Sequence, residues 1–186
     1  MIKNILILLV AVVLLVIAAA AIAVFSTPTE FGVEREVTIE RPRTEVFAYL
    51  KQLRNQNAWG PWYKKEPTME QNFRGTDGQP GFVSHWKGTS EEVGEGEQEI
   101  KRIVENERVD TELRFLRPFE SKADAYLITE DAAEGQTRVK WGFTGEMPRP
   151  MNLLLLVMDM DNEVGKDFED GLASLKLILE KRADMQ

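Results

Sequence analysis

From Ile5 to Phe25 the chain runs for 21 residues without one charged side chain. As a helix this run rises about 30 Å, the thickness of a bilayer's hydrocarbon core. It is apolar on all sides, so it has no wet face to present if it lies on a small soluble domain. The run therefore divides the chain into residues 1–25, read as a transmembrane anchor, and a water-facing remainder. A cleavable signal peptide is the rival: its apolar region is shorter, about 7–15 residues, but Ala21-Ile22-Ala23 resembles a small-residue cleavage site. Length favours the anchor; the alternative is secretion after cleavage. Lys3 and the terminal amine precede the run, and Glu30, Glu34 and Glu36 against Arg35 follow it. The positive-inside bias thus puts the N-terminus in the cytoplasm and the body outside it.

Lys3 is the only charge in the first 25 residues, so the other 161 residues carry 22 basic against 31 acidic side chains, a net of −9. That length suits one domain with a single core. Its charge excludes nucleic acid as a natural partner and argues against electrostatic adhesion to anionic lipid. With no cysteine, lipid attachment through a thiol and disulfides are both excluded.

Residues 26–32, with Pro28 and Gly32, read as a linker, and 33–182 as the body. Val33, Arg35, Val37 and Ile39 alternate with Glu34, Glu36, Thr38 and Glu40, which predicts a strand with one wet face. Pro42 suits a first helical turn, and Val46, Phe47, Leu50 and Leu53 follow at helical spacing. Beyond Thr68 the period becomes two. Phe82, Ser84 and Trp86 share a side; so do Val109, Thr111, Leu113 and Phe115; so do Val139, Trp141 and Phe143. Short turn signals separate these runs, so the strands pair mostly antiparallel.

The acidic stretch from Met158 to Leu179 invites a metal-loop reading. A calcium loop starting at Asp159 requires glycine at position six and a bidentate glutamate at position twelve; Val164 and Asp170 stand there. The stretch is better explained by an apolar stripe of Val157, Val164, Phe168, Leu172, Leu175 and Leu179 on a long helix with a solvated acidic side. Gly165 and Gly171 each weaken that helix by about 1 kcal/mol relative to alanine, so a close approach is expected there. Asp161 is expected to face inward with the stripe.

The order of a strand, one or two helices, six antiparallel strands and a long final helix resembles the helix-grip fold of the START-like, birch-pollen-allergen-like superfamily (SRPBCC). It is most similar to the polyketide cyclase/dehydrase and lipid-transport branch, in particular bacterial members with one N-terminal membrane helix. The resemblance rests on Val37-Thr38-Ile39-Glu40-Arg41-Pro42, Val46-Phe47, Trp59-Gly60-Pro61-Trp62, Pro118 to Ala123, Met158 to Asp161 and Gly165 to Glu169. It implies an α+β fold, a curved antiparallel sheet around the terminal helix with an apolar cavity between them. It implies no shared catalytic motif.

A single histidine, His85, falls on the wet side of its strand, which rules out a multi-histidine metal site and a triad built on another histidine. No cofactor motif is present. The inward residues Phe82, Trp86, Phe115, Trp141, Phe143, Val164 and Phe168 predict either plain core or the wall of an apolar cavity, with Ser84, Thr111 and Asp161 as its polar contacts. Trp59, Trp62 and Tyr63 are expected at the cavity rim. The expected function is a membrane-anchored module binding a lipid or other apolar small molecule. Two alternatives stand: a cyclase or hydratase-type enzyme with Asp161 as an acid/base of raised pKa, or a cavity-less interaction module docking through the apolar run from Leu153 to Met158.

Overall fold

The computed structural model describes residues 2–181, so the last residue assigned to the body by sequence, Arg182, lies outside the described residues. Helix α1 (Ile2–Ser26) covers the apolar run, and its side chains from Ile5 to Ile22 stand clear of the body. The body follows as β1 (Glu30–Ile39), α2 (Arg43–Leu50), a 3₁₀ turn (Leu53–Asn55), α3 (Gln56–Trp59), α4 (Pro61–Lys65), β2 (Glu70–Arg74), β3 (Val83–Lys87), β4 (Glu95–Val104), β5 (Arg108–Arg117), β6 (Ser121–Asp131) and β7 (Thr137–Glu146). A 3₁₀ segment (Met151–Leu156) and α5 (Met160–Lys181) complete it.

The strands form one sheet in the order β1-β7-β6-β5-β4-β3-β2, every neighbouring pair antiparallel. Period-two alternation decides which face is wet. Arg35, Trp141, Leu127 and Val109 stand in register across four strands and face α5. On the opposite face Arg114 gathers Glu97, Glu99 and Glu112 at 3.0, 2.7 and 2.5 Å. The core lies between the sheet, α2 and the stripe of α5 formed by Phe168, Leu172, Leu175 and Leu179.

Several boundaries differ from the sequence reading. Val157 precedes α5 and is 81% exposed, so it does not belong to the buried stripe. The seven residues read as a linker contain little slack. β1 already begins at Glu30, Thr27 is buried, and the Asn152 amide donates to the carbonyls of Val24 and Thr27, both at 2.8 Å. The proline and glycine mark a linker in the sequence, but no sequence period reveals a side chain arriving from residue 152.

Candidate functional site on the concave face

The concave face divides into two parts. Around Trp141 the rings are packed. Trp141 stacks on Phe168 with centroids 4.0 Å apart and planes within 3°. Trp59 meets it edge-on at 4.9 Å, and Trp62 meets both Trp141 and Phe168 edge-on at 5.8 and 6.3 Å. Edge-to-face contacts suit the ring quadrupoles. Gly60 and Pro61 break the chain between α3 and α4, and this break turns Trp59 and Trp62 inward. Gly171 leaves room for the stack: a Cβ there would stand 2.8 Å from the Trp141 ring. Trp59 is therefore not a rim residue. It is fully buried, and its indole N–H has no hydrogen-bond partner among the described residues. Trp62 and Tyr63 are half-buried.

Beside this cluster runs a narrow crevice, bordered among others by Gln56, Gln98, Val109, Thr111, Leu127 and Trp141 and too tight to seat a water molecule. Its polar wall is a short relay. The Gln98 amide donates to the Thr111 hydroxyl at 3.1 Å, and that hydroxyl donates to the Ala125 carbonyl at 3.2 Å. Gln98 was missed by sequence because its neighbours Glu97 and Glu99 make the strand look polar throughout; its register opposite Leu113 places it on the concave side.

The second part is looser. Trp86, Leu113, Phe115, Phe143 and Val164 share the concave side but are only half-buried. Trp86 meets Phe115 edge-on at 6.0 Å and donates to the Val93 carbonyl at 3.1 Å. Phe143 leans on Phe31 at 5.8 Å. Ser84 is half-buried on the same side, opposite Phe73 and Gln98. Phe82 joins neither group: it is fully buried, stacked on Phe73 at 6.0 Å, with the Arg54 guanidinium over both rings.

Asp161 contradicts the expectation of an inward acid. Its side chain is 67% exposed, and it accepts two hydrogen bonds from Arg35 at 2.9 and 3.0 Å. Arg35 donates also to Glu169 at 2.7 Å and to the Asp161 carbonyl at 2.9 Å. The guanidinium lies across Gly165, where any Cβ would collide with it. Hydrogen bonding to Arg35 holds the Asp161 carboxyl below its ordinary value. A general acid at neutral pH requires the opposite shift. Glu66, at the foot of the β3–β4 loop, is held down to about 2 by the Thr89 backbone and hydroxyl and by Ser90. These carboxylates fasten structure. Among the described residues no group of three or more histidine, cysteine or acidic side chains is placed to hold a metal ion.

A seven-stranded antiparallel sheet covered by a long terminal helix, with aromatic side chains between them, defines an α+β helix-grip fold, a ligand-binding fold. The comparison with known proteins agrees. The chain belongs to the family described as polyketide cyclase/dehydrase and lipid transport, whose profile matches residues 30–180. No curated protein matches it. Among solved structures it is similar to Ara h 8.0201 (18% identity, TM-score 0.51, covering 78% of this chain and 97% of that one). A protein of Thermobifida fusca matches at 17% identity and TM-score 0.58 over 78% of this chain and 90% of its own. DynU16, from the dynemicin biosynthetic locus, matches at 14% identity and TM-score 0.56 over 80% of this chain and 47% of its own. At these identities the likeness concerns the fold.

Proposed function

We propose that the protein is a membrane-anchored module that takes up a lipid or another apolar small molecule on its concave face, beside the first turns of α5. One observation carries the reading: Trp86, Leu113, Phe115, Phe143 and Val164 lie where a filled core buries its side chains, yet all five remain partly exposed. An apolar wall with a few placed polar groups is the usual make-up of a small-molecule site; Ser84 and the Gln98–Thr111 relay supply them. The family description, which includes lipid transport, favours the same class.

For the anchor, α1 offers a stretch from Lys3 to Ser26 that contains an 18-residue window of mean hydropathy 3.5, long and apolar enough to cross a bilayer. A signal sequence passes the same test. The Asn152 contacts favour retention, because a cut after Ala23 would leave the buried amide holding a frayed terminus instead of a helix end. The positive-inside bias favours a cytoplasmic N-terminus and a body on the other side.

The test uses the full chain in lipid nanodiscs and a fluorescent fatty acid. Saturable uptake is expected, weakened about tenfold by Phe115→Ala, equivalent to about 1.4 kcal/mol, and unchanged by His85→Ala on the outer face. Absence of saturable uptake sinks the reading. The tightness of the crevice favours one competitor, a filled-core interaction module docking through residues 153–158; it predicts no uptake at all.

A further inference from the structure

Asn152 fixes a depth. Its side chain is fully buried and reaches the carbonyl of Val24, inside the apolar run, at 2.8 Å. Arg149 donates to the same carbonyl at 3.3 Å, and its guanidinium lies over the Phe25 ring. Side chains at hydrogen-bond distance from Val24 share its depth. If α1 spans a membrane, the 3₁₀ segment sits at the bilayer's edge and not above it in water. That segment is unusually apolar on its outer side: Leu154 is 45%, Leu156 64% and Val157 81% exposed. The β5–β6 turn lies at the same end. Phe31, Gly145 and Ala123 are level across β1, β7 and β6, and the hairpin continues past that row to Phe119, which is 78% exposed.

We infer that this end of the body rests in the surface of the leaflet from which α1 emerges, with Phe119 and the Leu154–Val157 run immersed among the lipids. The inference depends on the proposed anchor, and the occupant is the lipid of that same bilayer. The buried Asn152 contact joins patch and span at one depth, so an apolar surface held there meets acyl chains before it meets any protein. Arg149 stands where a long cationic side chain reaches headgroup phosphates while its stem stays among apolar groups. The half-buried residues Trp86, Phe115 and Phe143 lie toward this same end of the concave face. An apolar molecule then passes between leaflet and protein without crossing water.

The absence of cysteine makes the test clean. Single-cysteine variants of the full chain, Phe119→Cys and Leu156→Cys, are labelled with an environment-sensitive fluorophore in phosphatidylcholine nanodiscs. Glu134→Cys, on the β6–β7 loop at the far end, serves as the dry-land control, and Leu14→Cys reports on the span. Quenching by lipids carrying a doxyl group near the headgroup should be several-fold greater at positions 119 and 156 than at 134, with position 14 reached by deeper doxyl groups. If 119 and 156 behave like 134 while 14 is quenched, the docking is wrong and the anchor stands. If 14 is not quenched, the anchor fails and the docking with it. If 119 and 156 are shielded from aqueous iodide yet untouched by doxyl lipids, a protein or a second copy covers the patch and the inference is overturned.

Discussion

The two parts of the concave face share a sheet and a helix but differ in how α5 covers them. Around Trp141 the helix lies close, because Gly171 carries no Cβ, and four rings interlock. Around Trp86 and Phe115 the cover ends, since α5 starts only at Met160; its first turns are held by Arg35 lying over Gly165, by Val164 against the core and by the Lys65–Asp167 pair. Similar apolar residue types therefore serve as core in one place and as exposed wall in the other. Burial by the helix, rather than side-chain chemistry, sets the role.

The largest expected effect comes from removing the centre of the packed part. Trp141→Ala should destabilise the body by about 3–5 kcal/mol in denaturant unfolding, whereas Phe115→Ala should remove only about 1–2 kcal/mol because its ring is already partly exposed. Equal losses would erase the distinction. Next come the glycines. Gly171→Ala pushes a methyl into a rigid indole and should destabilise by about 1–3 kcal/mol. Gly165→Ala meets only the tip of Arg35, which can swing away, while the helix gains about 1 kcal/mol of propensity; its net effect should stay within about 1 kcal/mol, read from the same unfolding curves.

The smallest effect is acid-dependent. The folded-state pKa of Asp161 is depressed, so its contribution is complete above the ordinary aspartate value of 3.8 and is lost as pH falls through the lowered value. The protection of the α5 first-turn amides against hydrogen exchange, taken relative to the intrinsic rate at each pH, should therefore fall as pH drops below about 4 in the native chain. Arg35→Met should abolish that pH dependence. The exposure of Asp161 keeps the effect small, and salt should weaken it further.

Much of this architecture is legible in the sequence. Period two identifies the concave residues of β5 and β7, and the 3.6 period finds the buried stripe of α5 from Phe168 onward. What parity left open was how far each residue is covered, since Trp141 and Phe115 are equivalent to a pattern of twos. The sequence cannot distinguish rim from core for Trp59 and Trp62, because α3 and α4 are too short to display a period; only the fold around Gly60-Pro61 turns them inward. Asp161 pairs with Arg35 instead of facing inward, and the sequence carries a signal for that pairing. Arg35 shares the apolar parity of Val33, Val37 and Ile39, and a lone guanidinium on a buried face demands a carboxylate. The carboxylates came from α5, more than a hundred residues away, where local spacing gives no warning.

Of the four tryptophans, three belong to the packed cluster and only Trp86 stands in the loose part. Titrating the full chain in nanodiscs with a brominated fatty acid, and reversing it with the unbrominated acid, therefore reports which part receives the ligand. Saturable quenching that disappears in Trp86→Phe is the predicted result. Quenching that survives that substitution would put the molecule among Trp59, Trp62 and Trp141, and no saturable quenching would contradict the uptake of any such molecule on the concave face.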